Sequence, residues 1–178
     1  MCRVQVGLYL SFVGQAALAS PLNIRQTSCT DLSTTSPNWK ITNAESSDWP
    51  GGGGGRVEFF AHHIPTSETT ACDVEYRLNS TDGHVIDYDP TATFECINFG
   101  TSISNTTVQL DMDTLVLSLK STWTCEEGEA VTYSATGSTA LQRDTSPGAC
   151  LVQPTQLGDA TTCPIADIEI EGKLEEES

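Results

Sequence analysis

Along Thr107–Cys125, TVQLDMDTLVLSLKSTWTC, apolar and polar residues alternate with a period of two. Val108 and Leu110 share one face, and Leu115, Leu117 and Leu119 share another beyond Asp111-Met112-Asp113-Thr114. Such a period places successive side chains on opposite faces of a strand, so the run predicts two half-buried strands. The apolar positions switch from even to odd across the break. A one-residue slip would turn a strand inside out, so the break marks a tight turn or a bulge. A hairpin is the preferred reading, with Leu115–Leu119 as a central strand and Trp123 and Cys125 anchoring its end.

The same period recurs elsewhere. Trp39-Lys40-Ile41-Thr42 reads as a short strand after a Ser/Thr-rich loop over Thr30–Pro37. Arg56–Ile64 reads as a strand with apolar residues on both faces, which implies coverage on both sides or a partly exposed Phe60 patch; Pro65 ends it. Between these two, Trp49-Pro50 and five glycines, Gly51–Gly55, predict a mobile surface loop. Ala71–Asn79 alternates cleanly and meets a hairpin turn at Thr81-Asp82-Gly83. His84–Tyr88 and Thr91–Cys96 supply the return, broken at Asp89-Pro90. Ala130–Leu141 and Ile165–Ile170 complete the set. Roughly nine or ten short strands with frequent turn signals and no helical periodicity predict an all-β domain, a single antiparallel barrel or sandwich.

Composition adds a compartment. The first residues, MCRVQVGLYLSFVGQAALAS, combine Arg3, an apolar run and a small-residue exit, which predicts a secretory signal peptide over residues 1–19. The run is too short for a membrane anchor. A polar lead-in over 20–28, open to trimming after Arg25, precedes a β domain over 29–172. An acidic tail, 173–178, is expected to be solvated and disordered. Six cysteines follow the signal: Cys29, Cys72, Cys96, Cys125, Cys150 and Cys163. An even number in a secreted chain predicts three disulfides, with fifteen connectivities open. The Ala71–Cys96 hairpin brings Cys72 and Cys96 near one another, where a bridge would contribute roughly 3 kcal/mol. Two sequons, Asn79-Ser80-Thr81 and Asn105-Thr106-Thr107, fit the same compartment.

A formal net charge of −16 over 178 residues argues against nucleic acid or an anionic membrane as partner and favours basic ones. Removal of Arg3 with the signal deepens that excess.

Candidate chemistry is sparse. His62 and His63 are adjacent on a strand and point to opposite faces, so they cannot chelate one ion, and His84 lies on another strand. No two cysteines have zinc-ligand spacing. Asp87/Asp89 and Asp111/Asp113 pair carboxylates without the glycine-pivoted spacing of a calcium hand and read as solvated faces. Nucleophile-elbow, zinc-protease and phosphate-loop motifs do not occur, and no metal, cofactor or enzymatic activity is expected. Trp39 and Trp123 read as core. Trp49, beside the glycines, and Phe60 are the candidate ligand-binding residues, for a small apolar ligand or a cell-wall polysaccharide.

Short motifs in shared order also carry a resemblance. They run from Pro21-Leu22, Arg25-Gln26 and Ser28-Cys29 through Trp39-Lys40-Ile41 to the hairpin Cys72 to Phe94-Glu95-Cys96. The Leu115–Lys120 strand, Thr132-Tyr133-Ser134-Ala135-Thr136, Cys150, Cys163 and Ala166-Asp167 follow. In this the chain resembles the Alternaria major allergen family of small secreted fungal β-barrel proteins. The resemblance implies bridges Cys72–Cys96 and Cys150–Cys163, and a non-enzymatic allergen or effector that meets host plant defence proteins. It also implies a cysteine at the position of Cys29 that can link two chains. Cys125 has no counterpart in the family pattern. It offers Cys29 a partner within the chain, so a monomer is expected rather than a Cys29-linked dimer.

Overall fold

A computed structural model describes residues 27–175. The predicted signal peptide and the trimming point after Arg25 lie outside the described residues.

Among the described residues, thirteen strands and a short helix follow one another: α1 (Cys29–Thr35), β1 (Trp39–Trp49), β2 (Gly54–His63), β3 (Glu68–Leu78), β4 (Val85–Ile86), β5 (Phe94–Glu95), β6 (Ile97–Asn98), β7 (Ile103–Asp111), β8 (Val116–Cys125), β9 (Val131–Ala140), β10 (Leu151–Thr155), β11 (Gly158–Ile165), β12 (Ile168–Ile170) and β13 (Lys173–Leu174). All pairings are antiparallel. The first sheet runs β10-β11-β1-β2-β3-β4, with β12 added to β1 and β6 to β3; the second runs β13-β9-β8-β7-β5.

The chain passes between the sheets five times among the described residues, twice at tight corners. Cys96 lies between β5 of the second sheet and β6 of the first, and Glu171-Gly172 lies between β12 of the first and β13 of the second. These corners curl the two sheets around one core, in which inward residues of β1–β3 meet those of β7–β9. Trp39, Ile41, Val57, Val74, Leu110, Leu117, Leu119 and Trp123 are fully buried there.

The opening hairpin forms. Asp111 Oδ1 accepts from the Asp113 and Thr114 backbone N–H groups, and Leu115 takes a positive φ of 54°. That left-handed residue is the register switch: it removes Leu115 from the strand and starts β8 with Leu117, Leu119, Ser121, Trp123 and Cys125 inward. β8 is the middle strand of its sheet.

Elsewhere the sequence reading needs correction. Thr30–Thr35 is helical rather than loop, because Ser28 caps the helix by accepting from Asp31 N–H and Glu127 accepts from the free N–H groups of Cys29 and Thr30. β1 continues through Ser46 and Asp48 to Trp49, far past Thr42, with a register shift between Thr42 and Glu45. The glycine run is not a mobile loop. Pro50–Gly52 form a single 3-10 turn, and Gly54 and Gly55 open β2 between Trp49 and the Tyr76–Arg77 segment of β3. A side chain at Gly55 would collide with the Tyr76 ring, whose hydroxyl donates to Asp48 Oδ1 at 2.6 Å. Gly51, Gly52 and Gly55 are there for close approach.

The return of the Ala71–Cys96 hairpin, expected with a break at Asp89-Pro90, is divided between the two sheets: β4 pairs with β3, whereas β5 pairs with β7. The expected acidic tail is ordered at its start: Lys173 and Leu174 pair with Thr136 and Ala135, and Glu175 N–H donates to Ser134 O. Residues 176–178 lie outside the described residues.

Three disulfides join Cys29 to Cys125, Cys72 to Cys96 and Cys150 to Cys163. They imply an oxidising compartment, and no helix among the described residues is long and apolar enough to cross a membrane.

Candidate functional site: the outer face of the first sheet

The register of β1, β2, β3 and β6 lays outward side chains in rows. Phe60 stands opposite Thr42 on one side and Ala71 on the other, and Ala71 stands opposite Ile97. The next row along the strands contains Glu45, Glu58 and Asp73, each opposite the next. An apolar stripe thus runs beside an acidic one. Phe60, Ile97 and Phe99 are 37%, 67% and 64% exposed, and the Phe60 and Phe99 rings meet at 6.3 Å between centroids. A hollow of about 370 Å³ lies between the rows, floored by Phe60, Ala71 and Ile97 and walled by Glu58, Asp73 and Glu95.

Covalent and polar ties hold this surface in place. Cys72–Cys96 locks the residues beside Ala71 and Ile97. Phe99 N–H donates to Thr69 O, which extends the ladder past β6. The Glu68 carboxylate accepts from the backbone N–H groups of Thr101, Ser102 and Ile103 at 3.0–3.1 Å. Burial alone would raise its pKa, but these bonds together hold it below the ordinary carboxylate value. A side chain at Gly100 would fill the space of that carboxylate. The loop that presents Phe99 is therefore clamped.

The acidic row is only partly neutralised. Arg56 lies 2.8 Å from Glu58 and 3.9 Å from Asp73. Burial raises the Asp73 pKa, Arg56 lowers it and Glu58 raises it again, with a net upward shift. Negative charge is crowded on this face, next to exposed aromatic rings.

Trp49 does not belong to this surface. Phe60 is paired with Thr42 and Trp49 with Gly54, which separates them along the ribbon by on the order of 20 Å. The Trp49 ring covers Gly52, and its Nε1 donates to Thr155 Oγ1 at 3.1 Å. The two aromatic candidates thus form no common platform. Trp39 and Trp123 are core: Trp39 Nε1 donates to Ser121 Oγ and Trp123 Nε1 to Ser33 Oγ.

His62 and His63 do point apart, His62 toward Thr69 on the outer face and His63 into the core. Asp87 pairs with Arg77, while Asp89 and Asp111 are occupied in capping their own turns. Among the described residues, no group of three or more His, Cys, Asp or Glu side chains is placed to hold a metal ion. Asn105 is exposed on the outer face of β7, and Asn79 is half-buried with its Oδ1 accepting from Thr81 N–H.

Sequence reasoning found Phe60 but missed Glu58, Asp73, Ile97 and Phe99 as its neighbours. Glu58 and Phe60 alternate within one strand and were legible as one face. The other residues join them only through the β2–β3 and β3–β6 registers. Comparison with protein-family models, curated proteins and solved structures returns no match.

Proposed function

We propose that this is a secreted, non-enzymatic binding protein that docks a basic protein partner on the outer face of its first sheet. The observation that carries the reading is the apolar row Phe60–Ala71–Ile97 lying beside the acidic row Glu45–Glu58–Asp73. Exposed aromatics supply the kind of anchor that dominates interface energies, and an acidic flank steers a cationic partner. The net charge of −16 favours the same partner class at long range. The small-residue exit after Val13 and the three disulfides support secretion. By the resemblance to the Alternaria major allergen family, the partner is a host plant defence protein and the chain acts as an effector.

The test is titration of the folded, oxidised protein against a panel of purified basic plant defence proteins at low and high salt. Saturable binding that weakens as salt rises is expected. Absence of binding across the panel would remove the reading. The alternative, a small apolar ligand, is favoured by one observation, the hollow beside Phe60. Displacement of an apolar dye from wild type but not from Phe60→Ser would support it.

A further inference from the structure

The outer face of the second sheet differs in kind from that of the first. Thr107 on β7, Lys120 on β8 and Thr136 on β9 form one row, continued by Lys173 on β13. Ser118 and Ser138 belong to the neighbouring row. These side chains line a groove of about 740 Å³. The hydroxyls of Thr107, Ser118, Thr136 and Ser138 are not engaged by any described residue, whereas hydroxyls toward the sheet's end, such as Thr124 and Thr132, bond each other. The groove therefore presents unspent donors and acceptors, plus the Lys120 ammonium that Glu175 holds in place at 2.8 Å.

Asn105 sits on the same face of β7, one outward position before Thr107, beside the register shift between Ile103 and Asn105. Its side chain is exposed and makes no hydrogen bond to a described residue, unlike that of Asn79, which is tied into its turn. The sequon Asn105-Thr106-Thr107 thus begins just outside the groove and ends in its lining, at Thr107.

We propose that Asn105 carries an N-linked glycan and that this glycan lies along the hydroxyl-lined groove, covering Lys120 and Lys173. A chain of sugar hydroxyls matches the free Ser and Thr hydroxyls directly or through bridging water. The groove starts two residues from the attachment point, so the attached chain is presented to it at high effective concentration. This inference is independent of the docking surface on the first sheet.

The test uses protein secreted from a eukaryotic host, with lysine acetylation read by mass spectrometry. Asn105 is expected to be occupied, and Lys120 and Lys173 should acetylate several-fold more slowly than in Asn105→Gln protein. Lys40, exposed on the first sheet, should react equally in both. Endoglycosidase trimming of the folded wild type to a single sugar gives the same comparison without a substitution. An unoccupied Asn105, or equal lysine rates before and after trimming, would overturn the proposal. Protection of Asn105→Gln protein by an added soluble β-glucan, with none from the attached glycan, would also overturn it and give the groove to a free polysaccharide.

Discussion

Glu58 and Asp73 stand directly opposite one another across the β2–β3 ladder, both facing solvent beside Phe60. Like charges in that relation destabilise a sheet by up to about 1 kcal/mol, and one arginine, Arg56, is shared between them. A surface kept at a cost to stability is what a binding face would look like.

Asp73→Asn should therefore stabilise the fold by about 0.5 kcal/mol at neutral pH while weakening the proposed interaction. The sign follows from the raised Asp73 pKa: a carboxyl raised in the native state costs stability as pH rises through its native pKa. Urea denaturation of the variant and wild type at neutral pH measures the first effect, and titration with the partner measures the second.

His63 makes the opposite contribution. It is fully buried, 4.3 Å from the Trp123 ring and 5.7 Å from the Trp39 ring between centroids. Its Nδ1 meets Thr66 Oγ1 at 2.9 Å, and its Nε2 has no partner among the described residues. Burial lowers its pKa from 6.5 to about 3; Glu68 opposes that shift and His62 adds to it. The unfolded chain takes up the proton from pH 6.5 downward and the native one only near 3. The stabilisation is thus complete above pH 6.5 and is lost progressively down to about 3. The loss is on the order of 4–5 kcal/mol. Because the Glu68 carboxylate also loses its bonds in acid, the informative measurement is the difference between wild type and His63→Phe in denaturation at pH 7, 5 and 4. The variant should show the shallower pH dependence.

Cys29–Cys125 spans 96 residues and ties α1 to the end of the central strand β8, against Ser33 and Trp123. Closing so long a loop contributes about 4–5 kcal/mol in the chain-entropy model. Wild type should run as a monomer on a non-reducing gel. Cys125→Ser should free Cys29 and give a disulfide-linked dimer together with a lower melting temperature. A wild-type dimer that reductant dissolves would contradict this pairing.

How far these features were legible depended on range. The period of two in Val108–Leu110 and Leu117–Leu119 is a local signal, and the hairpin it predicted forms around Asp111. The burial of Trp39 and Trp123 followed from their places in strands. What failed depended on distant partners. Gly55 read as flexible because nothing nearby shows that Tyr76 needs its missing side chain. Lys173 and Leu174 read as tail because their partners, Thr136 and Ala135, lie far back in the chain. The capping of α1 required Glu127, almost a hundred residues away. Trp49 and Phe60 read as candidates for one ligand, and only the β1–β2 register sets them apart.

The central claim is that the Phe60 face binds, and it is tested most directly by comparing Phe60→Ser, Trp49→Ala and wild type in titrations against one basic partner. Loss of an aromatic anchor should weaken binding at least about tenfold in Phe60→Ser, and Trp49→Ala should bind like wild type. Unchanged affinity in Phe60→Ser, in protein whose melting temperature matches wild type, would contradict the account.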